Sequence, residues 1–499
     1  MNVVLIITDT QPTWFVGCYG NGEACGTAAL DAMATRGVRF DRAYTTCPLC
    51  TPARSAIFTG VPPSRNGAFA NELTPGRAWP YLGEIAVAHG IEYAHIGKWH
   101  LDGAGYNGSG LPDGAAPDEW WYDKTRYVAE VGEERARELG RAAGANDADR
   151  LDELGLREDE LWGHRVASRA ERFLDEWQRR ADGDADRPFF LVVSFDEPHG
   201  PFVCPPEYFR RFRERPLATP PNFDAPLHGK PRMQQRQRAE FPTGGPDAFT
   251  AERTKHMACN AWIDSQIGRV LDAVRRTRDD DTLVIFTSDH GDQNGSHGLR
   301  SKGPMMYEES IRVPMLMEGP GVPADVVEEA LASHIDLFPT IAGALGLELA
   351  DGYPGHRLVR RTGEGVSYRA PDRDAVFVEF ERFGVYHHGN GGFYPIRTIV
   401  TRDAKLTVNL LDTDEFYDLA VDPTEEHNLL AADAAPRRAH DLLDRLAAHQ
   451  DAIADPLRGD AWRARPWARQ AGDRTYFSEP SGDAPPRPVW RAQPEGVPK

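Results

Sequence analysis

One short stretch near the start of the chain brings a thiol, a guanidinium and a helix start together: Cys47-Pro48-Leu49-Cys50-Thr51-Pro52-Ala53-Arg54-Ser55-Ala56-Ile57-Phe58-Thr59-Gly60. Pro52 suits the first position of a helix, and Gly60 the residue after its last turn. Cys50 is therefore expected just ahead of a short helix, where unpaired N–H groups and the helix dipole favour an anion. Arg54, one turn on, can reach back and clamp that anion with paired donors. The plain alternative for Cys50 is a buried, inert thiol, the usual state of free cysteine.

Four apolar runs end in residues that bind metals or move protons. Residues 3–7 lead to Asp9, and 93–96 lead to Gly97-Lys98-Trp99-His100. Residues 189–195 lead to Asp196-Glu197-Pro198-His199, and 283–287 to Ser288-Asp289-His290-Gly291. In open α/β sheets ligands bind outside the carboxyl ends of the strands, so these ends point to one shared polar site. Singly, an Asp after a strand reads as a turn or N-cap residue. Four together weaken that reading.

The elements that hold these residues follow from hydrophobic patterning. The runs 3–7, 189–195 and 283–287 are continuous rather than alternating, as expected for parallel strands covered on both faces. Between them, 161–178 sets Val166, Ala170, Phe173, Leu174 and Trp177 on one helical face. Residues 252–276 do the same with Met257, Ala261, Ile267, Val270, Leu271 and Val274. This alternation implies an α/β fold: a large, doubly wound, mostly parallel sheet domain, placed at 1–374. Segments at about 102–160 and 205–250 interrupt it and read as loop-rich insertions, placed to form substrate walls or lids. From 375 the pattern changes to short strands (375–380, 396–401, 405–410) and a helix at 437–449, a smaller C-terminal α+β subdomain spanning 375–456. Residues 457–499 carry Trp462, Trp467 and Trp490 among many Arg and Pro. They read as an arm packed on the body or on a neighbouring protomer, a route to a homo-oligomer.

The 499 residues carry 57 Lys+Arg against 76 Asp+Glu, a net charge of −19. This argues against nucleic acid or an anionic membrane as partner, since both need a basic footprint. It leaves room for a small anionic substrate in a locally positive pocket. No run approaches the ~20 apolar residues of a membrane span. Met1 leads directly into Asn2 and the apolar run, with no basic segment or cleavage site before it. The six cysteines make no zinc spacing. Together these features point to a reducing cytoplasm.

Cys50-Thr51-Pro52-Ala53-Arg54, continuing to Thr59-Gly60, resembles the C-x-P-x-R signature of type I sulfatases, which belong to the alkaline-phosphatase-like superfamily. Residues 90–100, ending in Gly97-Lys98-Trp99-His100, resemble that family's second signature. The resemblance continues through Pro198-His199, Ser288-Asp289-His290-Gly291, Lys302 with Tyr307-Glu308, and Phe416-Tyr417-Asp418-Leu419, spanning about 2–430 in the family's order.

The resemblance implies a formylglycine-dependent hydrolase of sulfate esters or sulfamates, with sulfated carbohydrates as the leading substrates. Cys50 becomes formylglycine through a sulfatase-maturing enzyme, and its hydrate supplies the oxygen nucleophile. Asp9, Asp289 and His290 hold a divalent cation together with the modified Cys50. Calcium is the first choice, with Mn2+, Mg2+ or Zn2+ as alternatives. Arg54 and Lys98 stabilise the hydrate, His100 is the base for the later elimination, and His199 and Lys302 bind sulfate and protonate the leaving oxygen. The sequence departs from the family pattern at Thr10, where many members have a second Asp, and at His290, where others have Asn. Asp with His also occurs in the related phosphonate monoester hydrolases, so a phosphonate monoester or phosphodiester hydrolase is the alternative.

Further candidates have bland readings beside the functional ones. His297 reads as lying behind the metal ligands or merely exposed. Trp120 and Trp121 read as packing anchors ahead of sugar platforms. His387 and His388 sit in a glycine-rich segment that could face substrate. Cys47 reads as a packing residue, and Arg210-Arg211-Phe212-Arg213 as a solvated helix face.

Overall fold

The computed structural model describes residues 1–102, 118–145, 148–181, 188–214, 217–240, 245–363, 365–385, 392–431 and 435–468. Its centre is β1 (Asn2–Thr8), every residue of which is buried. Both faces of β1 are apolar, so side-chain alternation alone cannot fix its register. Asn2 helps to do so: its Oδ1 accepts from Phe189 N at 3.1 Å, and its Nδ2 donates to Thr282 Oγ1 at 3.5 Å. These contacts tie β1 to both neighbours at once.

Seven more strands complete the main sheet: β2 (Val38–Phe40), β3 (Glu92–Gly97), β4 (Trp121–Tyr122), β5 (Phe189–Ser194), β6 (Thr282–Ser288), β7 (Met315–Glu318) and β8 (Val326–Glu328). Their spatial order is β4-β3-β5-β1-β6-β7-β2-β8. The first five run parallel, with Ile7 opposite Ser194, Gly97 opposite Ser194 and Thr8 opposite Ser288. β7 is antiparallel to both β6 and β2. The shared register puts the carboxyl ends of β1, β3, β5 and β6 along one edge. That edge carries the residues after each run.

Helices cover both faces. Val4 and Ile6 pack in one core with α1 (Ala28–Arg36), α3 (Trp162–Ala181) and α4 (Gly245–Arg278), through Met33, Phe173 and Ile267. Val3, Leu5 and Ile7 pack in the other with Ile57 and Phe58 of α2 (Cys50–Thr59) and Phe338 and Ile341 of α5 (Leu337–Leu345). Each such aliphatic or aromatic side chain contributes about 1.5–3 kcal/mol by leaving water. The fold is the doubly wound α/β arrangement that the patterning implies.

A second, antiparallel sheet follows: β9 (Val376–Phe380), β10 (Ile396–Val400), β11 (Ala404–Asn409) and β12 (Glu415–Asp418). One face packs on α6 (Arg437–Ala452), where Leu442, Leu443 and Leu446 meet Ile399, Leu406 and Val408. The other face, through Val376, Val378 and Phe380, rests on Tyr44, Cys47 and Leu49, the residues leading into α2. Lys405 crosses the same boundary as a buried cation between Glu425 (2.5 Å) and Glu308 (3.2 Å).

The insertions differ from expectation. The described part of 102–160 is mostly helical, with helices Lys124–Val131, Glu133–Ala145 and Ala148–Glu153, and Trp121–Tyr122 joins the main sheet as its edge strand. Asp123 caps the first helix by accepting from Arg126 N at 3.0 Å. The Arg135–Glu160 pair (2.9 Å) then ties the second to the body. Capping and ion pairs add to the apolar contacts of these helices, in which Tyr127 is buried in the core and Val128, Val131 and Ala136 pack against it. The second insertion likewise contains helices Pro206–Arg213 and Arg232–Glu240. Among the described residues no helix is long and apolar enough to cross a membrane. Trp462 is buried against the second sheet, while Trp490 and the rest of 469–499 lie outside the described residues.

Candidate active site

Helix α2 begins at Cys50 itself, so Cys50 is its first residue and Pro52 the third position rather than the first. The shift costs nothing, because first-turn N–H groups have no partner within the helix and proline lacks only that group. Gly60 ends the helix at φ 71, and a Cβ there would lie 2.7 Å from the Phe338 ring. Cys50 is 2% exposed and Arg54 fully buried.

Arg54 ties the strand ends together. Its Nε donates to Asp289 Oδ2 (2.9 Å) and its Nη2 to Asp9 Oδ2 (3.2 Å). Nη1 donates to Ser194 Oγ (2.8 Å) and to the Lys98 carbonyl (3.1 Å). A guanidinium has five N–H donors, so at most one is left for a bound anion. The sequence reads Arg54 as a clamp on a bound anion; in this structure four of its donors close on Asp9, Asp289, Ser194 and the Lys98 carbonyl.

Asp9, Cys50, Asp289 and His290 form a buried group whose ligand atoms all lie within 4.8 Å of one another. His290 Nε2 is 3.2 Å from Cys50 Sγ, 3.6 Å from Asp289 Oδ1 and 3.9 Å from Asp9 Oδ1. His290 Nδ1 donates to the Gly291 carbonyl (2.9 Å), which fixes the tautomer and aims the Nε2 lone pair inward. Burial lowers the His290 pKa and keeps the ring neutral, the form that binds metal. Burial and the adjacent Asp9 push the Asp289 carboxyl up to about 7. Asp9 goes the other way: burial raises its pKa, but Lys98, His199, Lys302 and Arg54 together hold it well below the usual carboxylate range. Two hard carboxylates and one inward imidazole suit a divalent cation, whose charge would also relieve the repulsion at Asp289.

The remaining predicted residues converge on the same place. Lys98 Nζ bridges Asp9 Oδ2 (2.7 Å) and Asp196 Oδ1 (3.0 Å). Gly97 permits this turn, having φ 119 and lying so close to β5 that a Cβ would meet Ser194 O at 1.8 Å. His100 stands at φ 61, a costly left-handed conformation for a non-glycine residue. Burial, then Lys98 and Arg54, push its pKa down to about 3. His199 donates from Nδ1 to Gly200 O (2.5 Å) and holds Nε2 4.0 Å from Asp9 Oδ1. Lys302 Nζ donates to Thr10 Oγ1 (3.0 Å), and that hydroxyl donates to Asp9 Oδ1 (2.7 Å). Thr10 thus links Lys302 to Asp9 through a neutral hydroxyl. For the Cys50 thiol, burial and Asp9 raise the pKa, yet Lys302, Lys98 and a His199 hydrogen bond bring it below its ordinary value.

The structure therefore gathers all the predicted site residues around one point. It adds others that sequence reasoning missed. His256 donates from Nε2 to the Thr10 carbonyl (3.0 Å), and Asn260 accepts from Gln11 Nε2 (2.5 Å). Asp264 accepts from Ala29 N (2.9 Å) and Leu30 N (3.1 Å) at the start of α1. Their signal was available: His256, Asn260 and Asp264 recur every four residues along one side of a helix whose neighbouring positions Met257, Ala261 and Ile267 are apolar. His297 is fully buried, stacked on Tyr307 at 3.9 Å beside Lys230, so its exposed alternative falls. Cys47, Trp120 and Trp121 are buried in packing. His387 and His388 lie outside the described residues.

Comparison with known proteins settles the kinship. The family model described as Sulfatase matches residues 1–347, which contain every residue of this centre. The chain belongs to the sulfatase family. A second model, N-sulphoglucosamine sulphohydrolase C-terminal, matches 295–452. This sulfatase is 36% identical to the uncharacterized sulfatase YidJ of Escherichia coli (strain K12), over 95% of this chain and 92% of the relative. Its fold is shared by a protein solved with its substrate, D-glucosamine-2-N,6-O-disulfate (TM-score 0.72, 20% identity, 92% of this chain and 99% of that one). It is also shared by a phosphonate monoester hydrolase of Agrobacterium radiobacter (TM-score 0.70, 23% identity, 91% and 96%). The protein is a sulfuric ester hydrolase on an alkaline-phosphatase-like fold.

Proposed function

We propose that this sulfatase acts through formylglycine formed from Cys50 and a single divalent cation, calcium first, and that its substrates are sulfated carbohydrates. The observation that carries this reading is the convergence of Cys50 Sγ with His290 Nε2 (3.2 Å) and Asp9 Oδ1 (3.8 Å) at the start of α2. Carbohydrate sulfates are favoured by the description of the second family model and by the substrate of the solved relative. The proposal includes a maturing enzyme for Cys50. It also includes a cytoplasmic location, in keeping with six free cysteines.

Asp9, Asp289 and His290 would hold the cation. When bound, the cation supplies Lewis-acid polarisation of the sulfate, and formylglycine supplies the oxygen nucleophile. The chain's own residues do the rest. Arg54 fixes both carboxylates, and Lys98 fixes Asp9 against Asp196, so the nucleophile's surroundings are preorganised before substrate arrives. His100, neutral across the physiological range, accepts a proton at its imidazole. His199, oriented through Gly200 O, keeps Nε2 free of that bond and would pass a proton from it to the leaving oxygen. Lys302 pairs with a sulfate oxygen from its seat on Thr10.

A second reading, phosphonate monoester or phosphodiester hydrolysis, is favoured by the Thr10 and His290 substitutions. Peptide mass spectrometry after expression with a maturing enzyme should find the aldehyde at Cys50. An unmodified thiol in a protein that still turns over sulfate esters would refute the mechanism. The ratio of kcat/KM on an aryl sulfate to that on the matching aryl phosphonate monoester decides between the two substrates.

A further inference from the structure

A cavity of about 440 Å3 opens beside the catalytic centre, within the ~300–1,000 Å3 of small-molecule sites. Asp196 and His199 line it on the catalytic side, and Tyr127, Leu139, Trp162 and Val203 give it apolar walls. Lys124 and Trp162 line this cavity and also, with Asp196, the narrow space next to Lys98 and His100. Lys124 thus stands where the two spaces meet beside the catalytic centre.

Lys124 is an unusual cation. Its Nζ lies 4.8 Å from the Tyr127 ring centroid and 4.9 Å from that of Trp162, held over two aromatic faces. Among the described residues it makes no hydrogen bond and no ion pair. It is also the first residue of the helix Lys124–Val131, where its charge opposes the helix dipole instead of complementing it. The capping Asp123 takes Arg126 N (3.0 Å) and Trp121 Nε1 (3.3 Å) as its donors, not Lys124. Asp196 and Glu197 feel the lysine's charge, but Asp196 is already bridged to Lys98 at 3.0 Å. Trp162, whose ring lies under the Lys124 ammonium, is 4% exposed and lines the same cavity. Glu133 and Glu197 also line the cavity, but among the described residues no carboxylate pairs with Lys124 at ion-pair distance, so its charge stays available to a ligand.

We propose that Lys124 is a specificity-determining residue that pairs with a second negative charge on the substrate's leaving group. Preferred substrates are then dianionic sulfate esters: a ring-sized alcohol part that fills the cavity and carries a carboxylate or a second sulfate. The inference rests on the sulfatase reading of the adjacent centre.

The test begins with binding, which needs no turnover. Calorimetry on the full chain with calcium compares benzenesulfonate with two dianions, 3-sulfobenzoate and benzene-1,3-disulfonate. Wild type should bind at least one dianion about tenfold tighter than the monoanion, and Lys124→Gln should reduce that ratio to about twofold or less. Lys124→Arg, which keeps the charge and tests for mere misfolding, should retain most of the ratio. The two dianion arms separate carboxylate from sulfate recognition. Kinetics on a carboxylated and an uncarboxylated aryl sulfate should show the same loss, mainly in KM. Equal binding of all three probes by wild type, or an undiminished ratio in Lys124→Gln, overturns the proposal. Discrimination among the probes without turnover of any sulfate ester would instead count against the sulfatase reading and leave the Lys124 site standing.

Discussion

Thr10→Asp restores the carboxylate that many relatives carry, and its consequence can be worked from the geometry. The Thr10 hydroxyl lies 2.7 Å from Asp9 Oδ1 and 3.0 Å from Lys302 Nζ. A carboxylate there stands at the edge of the proposed cation site. At an effective dielectric constant of 20, unit charges 4 Å apart interact by about 4 kcal/mol, so attraction to a divalent ion is about 8. Repulsion from Asp9 and proton uptake in the metal-free protein offset much of this. A quarter of it, about 2 kcal/mol, is still roughly thirtyfold in affinity. The backbone also favours the change, since Thr10 sits at φ 63, where Asp is better tolerated than a β-branched residue. Calorimetric titration of metal-free protein with calcium should therefore show about 10–100-fold tighter binding in Thr10→Asp. Unchanged or weaker calcium binding by a folded Thr10→Asp protein would refute both the placement of the cation and the role given to Thr10.

On the proposed mechanism, Cys50→Ala should lower sulfate-ester kcat/KM by roughly 10³-fold or more while leaving the melting temperature near wild type, since it removes the proposed source of the nucleophile but little packing. Gly97→Ala should prevent normal folding, or lower the melting temperature steeply, because its Cβ would lie 1.8 Å from Ser194 O at φ 119. Glu197 supplies a pH test of stability: burial and Asp196 push its carboxyl from 4.5 up to about 7. A raised carboxyl binds more protons in the folded state, so its share of stability is full below about 4.5 and fades as pH rises through about 7, by at most about 3 kcal/mol. Glu197→Gln should flatten that decline in thermal melts between pH 5 and pH 8, and an unaltered slope would place the titration elsewhere.

Much of the centre was legible because the strands are covered on both faces. Such strands read as unbroken apolar runs, and the first polar residue after each marks the edge of the sheet. Asp9, Lys98, His199, Asp289 and His290 were found this way. What Arg54 touches was not legible. Its partners come from four strands, and only their mutual register decides that its donors close on Asp9, Asp289, Ser194 and the Lys98 carbonyl. The helices of the first insertion were missed for a different reason. Their apolar faces are short, Tyr127, Val128 and Val131 on the first and Ala136 and Leu139 on the second, set among many charged residues, and the Asp123 cap and the Arg135–Glu160 pair add to them. The locally positive pocket also needs refinement: Arg54 and Lys98 are paired with Asp9, Asp289 and Asp196. Net positive charge at the centre thus depends on the cation.

The central place of β1 sets an order in time. It is synthesised well before its two neighbours, which end at Ser194 and Ser288. At ~5–20 residues per second, tens of seconds separate the emergence of β1 from that of β6, the strand that closes its second side. The face that later rests on Leu49 comes from β9, later still. During translation, then, Cys50 and the start of α2 spend an interval with neither sheet to bury them. A thiol buried in the finished fold is most open to other molecules in this window.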